Sequence, residues 1–130
     1  MSVPTDLLYT EEHEWTRLQA DEIIQVGITS FAQEQLGSIV FVDLPAEGIE
    51  IARGDSIGQI ESTKSVSDIY APASGTVVEI NRGLDGSPEL INADPYEAGW
   101  LVRIKLESPE ELDELLRPEE YQDLVADEEG

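Results

Sequence analysis

Short alternating apolar and polar runs, broken by frequent turn signals, predict a chain built mainly of β-strands. From Leu7 to Ile28 the runs are β-like, most clearly in Ile23–Ile28. Thr29 and Ser30 then offer a helix N-cap, with Gln33 three residues past Ser30. Gly37 stops the two-turn helix this predicts near 30–36. Ile39–Val42 reads as an apolar strand and Pro45–Gly48 as a turn. Further short strands run to about Ile80, punctuated at Gly54-Asp55, Ala71-Pro72 and Gly75. Trp100–Leu106 alternates cleanly, setting Val102, Ile104 and Leu106 on one face and Arg103 and Lys105 on the other.

The C-terminal part changes period. Ser108-Pro109-Glu110-Glu111 spells a capping box with proline at the first helical position. Leu112, Leu115 and Leu116 follow as one apolar stripe. Pro118 starts a second short helix through Tyr121, Leu124 and Val125, and the tail from Asp127 to Gly130 is expected to fray. One domain over residues 1–130 accommodates this, with a core of about 7–106 and helices of about 109–126. Gly37–Val42 and Gly75–Ile80 echo each other at an offset of 38 residues. Two similar β units packed face to face and a chance likeness of two β-rich hexamers explain that echo equally well.

Composition narrows the function. Hydrophobic content of 40% argues against wholesale disorder. No apolar run approaches the length of a membrane span, and no signal or transit pattern opens the chain, so a soluble, cytoplasmic protein is expected. With no cysteine and only His13 as histidine, disulfides, thiolate metal sites, cysteine nucleophiles and histidine zinc sites all drop out. Redox or group-transfer chemistry must therefore ride on something added to the chain. A net charge of −22 opposes binding to nucleic acid or anionic membranes. The acids are spread along the whole chain, which favours a prokaryote living in concentrated salt over a single acidic docking surface.

Three short motifs have plain readings. Gly54–Gly58 matches the nucleophile elbow of hydrolases, but β-like residues follow Ser56 and the histidine precedes it. Arg53-Gly54-Asp55 is turn punctuation. His13-Glu14-Trp15 lacks a second histidine for zinc, and His13 and Trp15 read as packing residues. Lys64 is different. It is one of two lysines beside 29 acidic residues, in a run of strand, Glu61-Ser62-Thr63-Lys64, strand, Ala71-Pro72-x-x-Gly75. That pattern presents a primary amine at a hairpin tip, a handle for covalent attachment.

Glu61-Ser62-Thr63-Lys64-Ser65-Val66-Ser67-Asp68 resembles the lipoyl-attachment hairpin of the glycine cleavage system H-protein family. The likeness extends through Tyr9–Trp15, Val26–Thr29, Ala32-Gln33, Leu36-Gly37, Val42–Gly48 and Leu90–Trp100. Thr63 and Ser65 depart from the family's common valine and alanine. Biotinyl hairpins, which set methionine on both sides of their lysine, fit less well.

The resemblance implies a barrel-sandwich hybrid of the lipoyl/biotinyl type and lipoic acid in amide linkage to Lys64. Glu61, Ser62, Thr63, Ser65 and Asp68 would form the recognition hairpin. It also implies a carrier rather than a catalyst. Its partners would be a pyridoxal phosphate glycine decarboxylase that loads an aminomethyl group, a tetrahydrofolate-dependent aminomethyltransferase, an FAD-containing dihydrolipoyl dehydrogenase and a lipoate-attaching enzyme. Glu14 and Asp68 are candidates for holding the loaded cationic arm in a partly dry cleft; solvated surface carboxylates are the plain alternative. A lipoate relay serving other lipoyl-dependent enzymes, and an unmodified acidic adaptor, are the competing readings.

Overall fold

The computed structural model describes residues 3–129. In chain order its elements are β1 (Leu8–Tyr9), β2 (Glu14–Leu18), β3 (Ile23–Ile28), α1 (Ser30–Leu36), β4 (Ile39–Asp43), β5 (Glu50–Ile51), β6 (Ser56–Ser62), β7 (Val66–Tyr70), β8 (Gly75–Ile80), α2 (Leu90–Ala93), β9 (Val102–Leu106) and α3 (Pro118–Glu129). Strands β1-β2-β3-β9-β8-β5 form one sheet and β4-β6-β7 a second, neither closing on itself. Neighbouring strands pair antiparallel. The expected mainly β sandwich is therefore present, as two open sheets.

The main core draws on both sheets. Ile24, Val26, Val77, Val102 and Ile104 come from the larger, and Ile39, Ile57, Ile60 and Ile69 from the smaller. The alternation read in 100–106 is realised, since Val102, Ile104 and Leu106 are buried. The echoing segments supply β4 and β8, one to each sheet. A second cluster joins Leu7, Tyr9, Trp15 and Phe31 to Tyr121 and Val125 of α3. Tyr9 and Tyr121 stack with centroids 4.6 Å apart, and Tyr121 Oη bonds Thr29 Oγ1 at 2.7 Å and His13 Nδ1 at 2.8 Å. Gly27 is required here by space, because a Cβ on it would fall 2.5 Å from the Trp15 ring.

The helix expected near 30–36 and its glycine stop at Gly37 (φ 84°) are present, and of the two offered caps it is Thr29 that serves, its hydroxyl accepting from Ala32 N at 3.2 Å. Several local expectations are corrected. The capping box at 108–111 does not form. Residues Pro109–Glu114 make a 3₁₀ helix, and Glu111 instead accepts hydrogen bonds from Ser74 N at 2.7 Å and Ser74 Oγ at 3.2 Å. The leucine stripe splits accordingly: Leu112 packs on the main core and Leu116 on the second cluster. The extended backbone at Leu115 breaks the helical period between them. Helix α3 does not fray at Asp127 but continues to Glu129, its last turn tied by Glu128 to His13 Nε2 at 3.1 Å; Gly130 lies outside the described residues. Finally, β4 is not uniformly buried. Ile39 faces the core while Val40 and Phe41 are exposed.

The motifs set aside from the sequence are ordinary turns. Gly54 has φ 89° beside Asp55, whose carboxylate accepts from Ala52 N, and β6 follows at once with no elbow helix. Lys105 sits on the polar face of β9, where its ammonium donates to the Asp21 carbonyl.

Candidate functional site: a displayed lysine and a carboxylate cleft

Strands β6 and β7 form the hairpin anticipated around Lys64, which is exposed at its tip. Buried Ser62 closes the turn. Its backbone N–H donates to Ser65 O at 2.8 Å, and its hydroxyl accepts from Ser65 N at 3.0 Å and Lys64 N at 3.3 Å. A small hydroxyl at this position thus satisfies turn amides that no strand partner reaches. Thr63, Lys64 and Ser65 are left with outward-facing side chains.

The tip is also fastened from outside the hairpin. Thr63 N donates to Ser38 O at 3.0 Å. Ser38 is held on both sides by one residue, Asn92. The Asn92 side-chain oxygen accepts from Ile39 N at 2.9 Å, while its amide donates to Gly37 O at 2.9 Å and Gln33 Oε1 at 2.8 Å. The Lys64 stem lies over Gly37, where a Cβ would come within 3.3 Å of Lys64 Cε. Glycine at 37 therefore serves both the left-handed helix stop and the passage of this side chain. No hydrogen bond or ion pair engages Lys64 Nζ among the described residues, in contrast to Lys105.

Beyond the free edge of β7 lies a cleft of about 510 Å³, lined among others by Thr10, Glu12, Glu14, Arg53, Tyr70 and Leu115. Thr10–His13 turn the chain into β2, with His13 at φ 71°, and carry Glu14 into the cleft wall. Glu14 is 1% exposed. Thr10 Oγ1 donates to its Oε1 at 2.6 Å, and the Tyr70 N–H, pointing off the sheet edge, donates to Oε2 at 3.1 Å. Burial pushes the Glu14 carboxyl up to about 7, against the lowering effect of those two donors; nearby Glu12 pushes the same way as burial. Arg53, the one cation of the wall, is taken by Glu114 at 3.0 Å. The wall is consequently anionic and suits a cation.

Asp68 is placed differently from Glu14. It is exposed on the outer face of the smaller sheet and does not line the cleft; Gln59 Nε2 reaches it at 3.1 Å and Tyr70 Oη at 3.3 Å. Tyr70 links the two acids, giving its amide to one and its hydroxyl to the other. Lys64 and the cleft lie beyond opposite ends of β7; Tyr70 of the cleft wall is six residues from Lys64, at most roughly 20 Å at ~3.3 Å per residue. The roles of Asn92, Thr10 and Tyr70 were missed in the sequence. Asn92 lies inside the recognisable run Leu90–Trp100, but nothing in that run says which backbone groups it grips.

One unengaged amine on a fastened tip, with an anionic cleft a strand away, is the geometry expected of a carrier domain. The comparisons agree. A sequence model described as Glycine cleavage H-protein matches residues 7–128. The Glycine cleavage system H protein of Carboxydothermus hydrogenoformans is 51% identical, over 97% of this chain and 96% of its own length. That of Listeria monocytogenes is 54% identical, over 96% and 99%. A crystal structure of a glycine cleavage system H protein from Mycobacterium marinum superposes with a TM-score of 0.89 at 43% identity, covering 95% of this chain and 99% of that one. The chain belongs to the glycine cleavage H-protein family.

Two measurements test this geometry. Asn92→Ala removes the grip on Gly37 and Ile39, so the Thr63 amide should exchange with solvent roughly tenfold faster, matching about 1–2 kcal/mol of lost hydrogen bonding, while Val26 is unchanged. Equal Thr63 exchange in both proteins contradicts the anchoring. Glu14 binds its proton more tightly folded (about 7) than unfolded (about 4.3), so the folded state holds the extra proton between those values and stability falls as pH rises through them. In urea titrations at pH 5 and pH 7.5, Glu14→Gln should lack a loss on the order of 3 kcal/mol that the parent shows. Parallel pH profiles would show that Glu14 titrates normally.

Proposed function

We propose that this chain is the lipoyl-bearing carrier of glycine cleavage, with lipoate joined in amide linkage to Lys64 Nζ. The single observation that carries the reading is the unengaged ammonium on a hairpin tip fastened through Thr63, Ser38 and Asn92. The residues present fit the group. Acylation removes a positive charge on which none of the described carboxylates depends, and the exposed tip leaves space for a long arm. When attached, lipoate supplies a dithiolane that accepts cargo on sulfur and is restored by oxidation. The protein's part is placement. Ser62 and Ser38 fix the turn, so that the attachment point is constant for each partner in turn.

In this reading the cleft at Glu14 receives the cationic end of the loaded arm. A carboxylate poised near neutrality, already holding the Thr10 hydroxyl and the Tyr70 amide, gains a charge-assisted partner and ionises fully. Tyr9, Pro72 and Leu115 limit access of water to that end. Asp68, outside the wall, acts on the cleft through Tyr70. The partners are those that glycine cleavage requires: the pyridoxal phosphate decarboxylase, the tetrahydrofolate-dependent aminomethyltransferase, the FAD-containing dihydrolipoyl dehydrogenase and an enzyme that attaches lipoate.

Reconstitution with the decarboxylase is the test, scored as glycine-dependent exchange of labelled carbon dioxide. Lys64→Arg keeps charge and length but forms no lipoyl amide, and exchange should fall to background while the circular dichroism spectrum is unaltered. Glu14→Gln, lipoylated normally, should sustain exchange but lose cargo to water several-fold faster. Exchange by Lys64→Arg at the parent rate overturns the carrier reading. Exchange absent even with the lipoylated parent would favour the relay serving other enzymes.

A further inference from the structure

The outer face of the smaller sheet carries an apolar patch that the core does not explain. Phe41, Glu61 and Val66 stand in register across β4, β6 and β7, so their side chains share one face. Asp43, Gln59 and Asp68 form the next row on that face. All six are exposed, Phe41 at 57% and Val66 at 56%, with Val40 at 49% alongside. The opposite face is packed into the core through Ile39, Ile60 and Ile69.

A break in the pairing puts Phe41 there. Simple alternation from buried Ile39 would return residue 41 to the core. Instead β4 advances two residues, Ile39 to Phe41, while β6 advances one, Ser62 to Glu61. This β-bulge at Val40 re-aims the aromatic ring into solvent. Of the six large apolar side chains exposed in the described chain, three are on this face, Val40 and Phe41 on one side of Glu61 and Val66 on the other. Exposed apolar clusters with a polar border mark surfaces that another protein covers. Val66 lies two residues past Lys64, and the Lys64 stem crosses Gly37, just before β4. The patch and the amine therefore occupy the same end of the molecule.

We propose that this face is the docking surface for the enzyme that attaches lipoate to Lys64, with Phe41 and Val66 as apolar anchors on either side of Glu61 and with Asp43 and Asp68 in the adjoining row. The inference rests on the lipoyl reading of Lys64 given above. Enzymes that act on the finished arm meet its far end. The attaching enzyme has no arm to use, and must bring its reacting carbon within about 3–3.5 Å of Nζ itself. Whatever encloses the tip that closely also covers the adjoining rows of the sheet. One carboxylate stands between the anchors and two stand in the next row, and Lys64 is the only cation of the tip, so the complementary surface offers apolar sockets interleaved with arginine or lysine.

The test uses the unlipoylated full-length protein and the host's lipoate-attaching enzyme, with lipoylation followed by intact mass. Phe41→Ala and Val66→Ala should each lower kcat/KM for attachment at least tenfold, mainly through KM, and Glu61→Lys should do so with a weakened dependence on salt. Leu18→Ala and Val78→Ala, exposed elsewhere, should leave the rate unchanged, and melting curves establish that all five variants fold. Phe41→Ala driven to complete lipoylation by long incubation should then support exchange by the decarboxylase at the parent rate. Parent-like attachment by Phe41→Ala and Val66→Ala overturns the proposal, as does a loss confined to the decarboxylase assay. A parent protein that takes no lipoate at Lys64 refutes instead the reading on which the proposal rests.

Discussion

The hydrogen bond from Thr63 N–H to Ser38 O ties the hairpin tip to the rest of the protein, and most of the site depends on what holds Ser38 still. Asn92 does so by gripping the residues on either side, Gly37 through its carbonyl and Ile39 through its amide. Three segments distant in sequence thereby meet: the 37–39 link between α1 and β4, the lysine turn, and α2, which carries Asn92. Their sequence separation explains why the chain needs a sandwich around so small a device. A two-stranded hairpin alone is marginally stable in water. Here its inner face is buried against the larger sheet through Ile57, Ile60 and Ile69, so the turn inherits the rigidity of the core.

Charge divides the surface into working parts. With −22 formal charges overall, cations are scarce, and most have assigned partners: Arg17 with Glu97, Arg53 with Glu114, Arg82 with Glu47, Arg103 with Glu79. Lys105 is held by a backbone carbonyl, which leaves Lys64 chemically distinct from the other lysine by its lack of engagement rather than by any special neighbour. Glu14 is distinct for the opposite reason. Among the many solvated acids, it is buried in a cleft wall, and desolvation holds its proton to near-neutral pH.

Much of this was legible in the sequence because it is local. The alternation of 102–106, the glycine stop at 37 and the turn residues around Lys64 each dictate backbone geometry within a few positions. The correlated motifs then pointed to the family. What escaped was decided by tertiary partners. Glu111 abandons its helix cap because Ser74 offers it two donors across the fold. Phe41 leaves the core because of a bulge that four consecutive apolar residues cannot announce. Asp68 and Glu14 looked like equivalent cleft acids, yet strand pairing sends one to the outer face and the β2 turn sends the other inward. Asn92 lay in a recognised motif without a visible role, since its three partners are remote in sequence.

The most direct measurement is the intact mass and peptide map of this protein isolated from its own host. The account predicts an addition of lipoyl size on Lys64 and none on Lys105, whose ammonium is already bonded. A native protein whose Lys64 carries no acyl group would contradict it.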